Sequence, residues 1–344
     1  MLKILFIVLA ALVLITAAAG FYMARFACLR AKGKPDYWVH PEALPPMYEH
    51  IPEKDYDMIR AGREFLLSHA EAPVYITSRD GLRLQGHYVP PENGTPKGIF
   101  LQVHGYRSHP LCDFPGCARP MHEQGYGLFL IDHRAGGGSE GRYITFGLLE
   151  RYDVADWCAY LNDRFPGIPV MLDGVSMGGA TVMLAAGEAL PDNVQGIIAD
   201  CGYSSPAAIC KKVLKQWFGL PPFPIYYAAV LWIRLLCGVR FSLPAGVKNG
   251  RYLTGDCGLA LEKNKLPILI AHGEADGFVP YRMSVENFAH CDPENSELFS
   301  VPGAEHGIAW LADRERYNAA IYRMWDKIHG ASKKSPCGDR KSVV

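Results

Sequence analysis

Residues 170–181 read VMLDGVSMGGAT, and how they are read decides the fold. Val170-Met171-Leu172 is a short apolar run of the kind that forms a buried strand. Gly174-Val175-Ser176-Met177-Gly178-Gly179 follows at once, and a helical stretch over 177–189 comes next. A serine at a sharp strand-to-helix turn sits in strained backbone with its Oγ presented to solvent. Glycines on either side let strand and helix approach without side-chain clashes. The helix amino terminus behind Ser176 favours developing negative charge, and the Met177 N–H is placed to donate to an oxyanion. A serine in this position can also be a plain helix cap, so its partners have to decide.

Outward from this stretch the same alternation continues. Short apolar runs occur at 98–103, 127–131, 170–172, 194–199, 268–271 and 298–301. Helix-like segments fall between or after them at 111–123, 147–163, 177–189, 281–290 and 312–329. This β-α order predicts an α/β class with a mostly parallel sheet and helices on both faces. Ahead of it, 74–77 and 82–89 around Arg79-Asp80-Gly81 predict an antiparallel hairpin. Residues 53–69 predict a helix with Ile59, Gly62, Leu66 and His69 on one side. One interval breaks the pattern. From about 204 to 262 there is no strong strand, and helical stretches at 205–217 and 224–237 predict a lid inserted over the strand ends.

In parallel sheets the functional residues gather at the carboxyl ends of the strands. Asp276 lies just past the run Pro267-Ile268-Leu269-Ile270-Ala271, and His306 lies past the run ending at Val301. The chain order Ser176, Asp276, His306 suits a serine nucleophile, an imidazole base and a carboxylate that orients it. Glu274 and Asp200 compete with Asp276 for the acid role. His104-Gly105-Tyr106-Arg107-Ser108 follows another strand, and the Tyr106 N–H is the candidate second oxyanion donor. His104 reads as a structural loop residue, whereas Asp132, at the end of its strand, is placed where a catalytic role is conceivable. Gly136 to Gly141 lacks a GK[ST] ending, which argues against nucleotide phosphate binding. No metal-ligand spacing occurs among the 12 histidines and no CxxC occurs, so no metal and no cofactor is expected.

Five motifs together, HGYRS (104–108), DHRAGGGSEG (132–141), GVSMGG (174–179), HGEADGFVP (272–280) and GAEHG (303–307), make the chain resemble the α/β-hydrolase superfamily. The resemblance spans about 53–330 and is nearest to membrane-anchored bacterial hydrolases of the serine aminopeptidase-like group. It implies an α/β-hydrolase fold with a helical lid, and a Ser176–His306–Asp276 triad with Tyr106 and Met177 as backbone oxyanion donors. It also implies a structural role for Asp132. Gly136-Gly137-Gly138 departs from the Arg-Gly-His-Gly-like turn of relatives, a change expected to affect loop packing.

Composition narrows the setting. The 344 residues carry 35 basic and 35 acidic side chains and are 49% hydrophobic. That excludes a disordered chain and removes the basic surplus of a typical nucleic-acid binder. Ile4 to Met23 contain no charge and are long enough, at about 30 Å of helix, to span a bilayer. A retained anchor over 1–23 and a signal peptide cut after Ala17-Ala18-Ala19 both fit, and the length favours the anchor. Lys3 precedes the stretch, whereas Arg25, Arg30, Lys32 and Lys34 follow it, so the globular part is expected on the cytoplasmic side. Nine cysteines beyond Cys28, without regular spacing, read mostly as small buried hydrophobes. A Pro-rich linker over 24–52 and a basic disordered tail over 331–344 complete the organisation.

Three functions remain open on these residues. One is an ester or thioester hydrolase working through an acyl-serine, with a small acyl or lipid-like substrate. The second is an amide hydrolase related to aminopeptidases, which needs an acidic anchor for the substrate amine. The third is a non-catalytic membrane scaffold on the same fold. The apolar stretch 218–239 is either an ordinary lid helix or an acyl pocket with a membrane-dipping face. The sequence sets no oligomeric state.

Overall fold

The computed structural model describes residues 1–45, 51–241, 247–248, 251–252 and 255–332. The expected tail beyond Ser332 and Pro46 of the expected linker lie outside the described residues. The chain opens with helix α1 (Leu2–Cys28) and continues, after two short 3-10 turns, with α2 (Tyr56–His69). Strands β1 (Val74–Thr77), β2 (Arg83–Val89) and β3 (Ile99–Val103) come next. Then follow α3 (Pro110–Asp113), α4 (Pro115–Glu123), β4 (Gly127–Ile131), α5 (Glu150–Arg164), β5 (Val170–Val175), α6 (Met177–Ala185) and β6 (Val194–Asp200). The insertion holds α7 (Pro206–Phe218), α8 (Ile225–Cys237) and a small hairpin, β7 (Val247–Lys248) with β8 (Arg251–Tyr252). The chain closes with α9 (Cys257–Leu261), β9 (Ile268–Gly273), α10 (Arg282–Phe288), β10 (Ser296–Val301), α11 (Ala309–Ala312) and α12 (Arg314–Ser332).

Eight strands form one sheet in the order β1-β2-β4-β3-β5-β6-β9-β10. The hairpin β1–β2 and the β2–β4 pair are antiparallel, and every later pairing is parallel. The strands are apolar on both faces because both faces are covered. Ile99, Leu101 and Val103 point into one core with Val154 and Trp157 of α5 and Val182 and Leu184 of α6. Phe100 points into the other, with Leu66 of α2, Ala118 of α4 and Ile321 of α12. The chain therefore has the α/β-hydrolase architecture that its motifs imply.

Three local expectations need adjustment. His69 is exposed and stacks on Phe65 with ring centroids 4.3 Å apart, because α2 buries only the Ile59–Gly62–Leu66 stripe. The helix from the apolar stretch does not stop at Met23 but continues to Cys28. Nothing in Ala24-Arg25-Phe26-Ala27-Cys28 breaks a helix, and Ala24 and Cys28 are buried. The last helix likewise runs to Ser332 instead of ending at 329. Part of the expected linker is also docked on the domain: Leu29 bridges to Tyr143, and Arg30 donates to the carbonyls of Ser139 (2.6 Å) and Gly137 (2.7 Å).

The glycines of the 170–181 stretch are required by backbone packing. A Cβ on Gly178 would lie 1.8 Å from the Val103 carbonyl oxygen, and one on Gly174 would lie 2.3 Å from that of Gly178. No side chain can turn aside, since the obstacles are backbone. Gly178→Ala is expected to destabilise the fold by about 3 kcal/mol, at the upper end of overpacking costs. Gly277→Ala, where a Cβ meets nothing within 4 Å, should stay near the wild type. Thermal unfolding of the detergent-solubilised chain compares the two, and equal melting would contradict the packing argument.

Candidate active site

Ser176 sits between β5 and α6 with φ +58° and ψ −114°, a left-handed conformation that a serine adopts only under constraint. Its N–H donates to the Asp200 carbonyl at the end of β6 (2.8 Å), which ties the turn to the neighbouring strand. The Ser176 hydroxyl lies 2.9 Å from His306 Nε2, and His306 Nδ1 lies 2.7 Å from Asp276 Oδ2. With Nδ1 donating to the carboxylate, Nε2 is left as the acceptor for the serine proton. The three sequence candidates meet although 130 residues separate serine from histidine. Glu274 is exposed, and Asp200 turns its carboxylate to the Tyr317 hydroxyl (3.0 Å).

Asp276 is fixed from four sides. Oδ1 accepts the N–H groups of Phe278 (2.8 Å) and Val279 (2.7 Å). Oδ2 faces both His306 and His272, the latter at 3.0 Å. Burial alone would raise this carboxyl, but the hydrogen bonds and charges of His272 and His306 outweigh it and hold the group well below the usual carboxylate range. Lys212 of α7 donates to the carbonyls of Gly277 (2.5 Å) and Phe278, so the lid grips the acid loop.

The loop after β3 lies beside the serine: a Cβ on Gly105 would come within 3.4 Å of Ser176 Cβ. Among the described residues the N–H groups of Tyr106 and Met177 have no acceptor, as open oxyanion donors require. Asp113 holds this loop, accepting the Gly105 N–H at 2.7 Å and the Ser108 hydroxyl at 2.5 Å. The Tyr106 hydroxyl donates to the Ala27 carbonyl (2.7 Å), and Arg107 donates to those of Phe26 (2.6 Å) and Leu29 (2.9 Å). The loop thus caps the end of α1. His104 is consumed locally, accepting the His133 N–H (3.1 Å) and facing the Gly105 carbonyl (2.8 Å).

Asp132 supports the neighbouring turn, taking the Gly138 N–H at 2.9 Å and the Gln85 amide at 3.2 Å. Side chains at Gly137 and Gly138 would strike Asp132 and Gln85, which accounts for the triple-glycine departure as a packing feature. Asp36, His109 and Asp132 approach closely enough to suggest a metal site. His109 Nδ1 accepts the Leu111 N–H, however, so Nε2 carries the hydrogen and faces Asp132 Oδ1 at 3.3 Å. That approach is not a hydrogen bond, and Asp36 takes the Trp38 N–H (2.9 Å) and the Gln85 amide (2.9 Å).

Two cavities meet at Ser176, and Tyr106, Trp217 and Phe278 border both. The first, of about 240 Å³, is walled mainly by apolar side chains, most of them from α1, α7 and α8. The second, of about 320 Å³, holds the carboxyl groups of Asp113, Asp173 and Asp200. Burial raises Asp173 to about 7, with Gln102 pulling it back and Asp200 adding to the rise; burial likewise raises Asp200 to about 6. Sequence reasoning missed Asp113, Asp173, His272 and Lys212, since their roles come from contacts across the fold.

A testable pH effect follows from Asp173. Its folded value lies above the ordinary carboxyl value of 3.8. Stability from this group is therefore full below about pH 4 and is lost as pH rises through about 7. Asp173→Asn removes the loss and is expected to stabilise the chain at pH 8 by a few kcal/mol at most, on the scale of about 1.4 kcal/mol per pKa unit. Melting temperatures from pH 4.5 to 8 measure it; parallel curves for both proteins would refute it.

Comparisons with known proteins agree with the fold. The family model described as serine aminopeptidase, S33, matches residues 94–256. Among curated relatives, the uncharacterised protein YqkD of Bacillus subtilis (strain 168) is 23% identical over 262 residues, covering 75% of this chain and 80% of its own. The monoglyceride lipase of Homo sapiens is 32% identical over 127 residues, 36% of this chain and 41% of that protein. Among solved structures, a Pyrococcus furiosus esterase superposes with a TM-score of 0.58 at 20% identity, covering 83% of this chain and 97% of its own. Est1E of Butyrivibrio proteoclasticus, solved with ferulic acid, does so with 0.53 at 21% identity, over 75% and 99%. The chain has the α/β-hydrolase fold. Its similarity to the serine aminopeptidase model over that central segment supports an enzyme of the serine hydrolase class.

Proposed function

We propose that the chain hydrolyses carboxylic esters or thioesters through an acyl intermediate on Ser176, with His306 as base and then acid and Asp276 as the orienting carboxylate. The Ser176 oxygen attacks the acyl carbonyl carbon and its proton passes to His306 Nε2. The N–H groups of Tyr106 and Met177 receive the oxyanion. Collapse expels the alcohol or thiol, which takes the proton from His306. Water then repeats the sequence, releasing the acid and freeing the serine.

The observation that carries this reading is the line from Ser176 Oγ through His306 (2.9 Å) to Asp276 (2.7 Å) beside an apolar cavity. Its test is acyl trapping: incubation with p-nitrophenyl butyrate at low pH, then mass analysis of the digest. A butyryl group on the peptide containing Ser176 is expected, and one confined to other residues would overturn the assignment. No cofactor or metal enters the scheme.

A second reading, amide hydrolysis next to a free amine, is favoured by one observation. Asp173 and Asp200 line the cavity opposite the apolar one, where a cationic amine could be met. Faster cleavage of aminoacyl p-nitroanilides than of uncharged esters would select it. We further infer that α1 anchors the chain in a membrane. A single helix of 27 residues, long and apolar enough to cross and almost unburied over its apolar length, supports this.

A further inference from the structure

The membrane helix does not end where the enzyme begins. Gly20, Ala24 and Cys28, spaced four apart, are the buried residues of α1. They face α8, and a Cβ on Gly20 would lie 2.5 Å from that of Ala228, so the two backbones approach closely, as small residues allow between membrane helices. The indole N–H of Trp232 donates to the Ala17 carbonyl (2.9 Å), and Phe21 packs edge-on against the same indole (5.0 Å). Further along, Phe26 meets Phe218 at 5.7 Å. The contacts run in the same sense along the two helices: Gly20 is level with Ala228, and Cys28 with Cys237. The amino half of α8 therefore lies beside the uncharged length of α1.

The outer side of α8 is apolar where a water-facing lid would be polar. Phe223, Tyr227, Leu231 and Leu235 recur every four residues and are 74%, 54%, 56% and 65% exposed. This row continues the exposed apolar surface of α1, from Leu2 to Ile15. Arg234, exposed and the one charge on α8, is suited to phosphate headgroups. Inside, Met23, Phe26 and Ala27 of α1 line the apolar cavity that reaches Ser176. At about 240 Å³ the cavity is smaller than the roughly 300–1,000 Å³ of drug-sized pockets, which suits one chain and not a bulky group.

We propose that this cavity is loaded from the bilayer, and that Met23, Phe26 and Ala27 of the membrane helix form the wall that selects one acyl chain of a membrane lipid. The proposal rests on the reading of Ser176 as an acyl-transfer nucleophile. The α1–α8 pair is the lipid-facing wall, and the ester carbonyl arrives at Ser176 as the chain enters between the helices.

The test uses the full chain in phosphatidylcholine vesicles. It measures kcat/KM for p-nitrophenyl acetate, p-nitrophenyl decanoate and monooleoylglycerol carried in the vesicles. Ala27→Trp fills the cavity and is expected to lower the decanoate-to-acetate ratio at least tenfold. Met23→Ala enlarges it and should move the preferred chain length upward. Leu9→Trp, on the exposed length of α1, should keep the wild-type ratio. Leu231→Asp combined with Leu235→Asp should slow the vesicle-borne glyceride at least tenfold more than soluble acetate. Unaltered chain-length preference in both Ala27→Trp and Met23→Ala overturns the wall. Equal losses on glyceride and acetate in the double aspartate variant overturn loading from the bilayer. Equal hydrolysis by wild type and Ser176→Ala would instead defeat the underlying site reading, so the two failures are distinguishable.

Discussion

Ser176→Ala is expected to lower ester turnover by about 10⁶ and to abolish labelling by a fluorophosphonate. The loss is confined to chemistry. Ser176 is buried and its N–H stays bonded to the Asp200 carbonyl, so alanine inherits the same backbone with one oxygen removed. His306 then faces no hydroxyl and Asp276 orients a base without a substrate proton. The donors at Tyr106 and Met177 remain, which leaves residual catalysis of about 10³–10⁴ over water, as in other triad enzymes stripped of the nucleophile. Retained labelling in the alanine variant, at an unchanged melting temperature, would remove Ser176 from the mechanism.

Asp276→Asn is expected to cost about 10⁴ in kcat with little change in fold, the size seen when a triad carboxylate becomes an amide. The asparagine oxygen can keep the Phe278 and Val279 N–H groups. Its NH₂ must then face His306 Nδ1, where the carboxylate now stands at 2.7 Å. An amide donor there forces Nδ1 to accept and moves the ring hydrogen to Nε2, so the imidazole meets the serine hydroxyl as a donor and cannot take its proton. The variant should recover rate as pH rises and hydroxide substitutes for the base. A shallow loss, below tenfold, would hand the acid role to another carboxylate. Stability moves as well: the folded carboxyl is held below its ordinary value, so its contribution is present above about pH 4 and is lost only as pH falls further. This is opposite in sign to Asp173.

What could be read from the sequence and what could not separate along one physical line. The nucleophile turn, the loop after β3 and the acid and base loops are each encoded within a few residues, because strand ends and glycine turns are local structures. Their chain order then identified the partners. Asp113, His272 and Lys212 carry no such local mark: Asp113 matters only because α3 folds back to hold Gly105. Likewise, the charge gap that ends at Met23 is a statement about solvation, whereas the helix end at Cys28 is set by packing on α8. The apolar stretch 218–239 left two readings open because exposure is a tertiary property. In the structure Tyr226, Ala229 and Ile233 are buried and Tyr227, Leu231 and Leu235 are exposed.

The crowding around the serine turn has an evolutionary consequence. Gly174, Gly178, Gly179 and Gly202 each have main-chain atoms within 3 Å of where a side chain would begin. Drift at these positions is closed, since those main-chain neighbours cannot turn aside. The apolar cavity is built the opposite way, mostly from side chains of α1, α7 and α8. Those positions can exchange one bulk for another without disturbing a strand. The lineage can therefore explore new substrates by mutating α1, α7 and α8, while the residues of the serine turn are inherited unchanged.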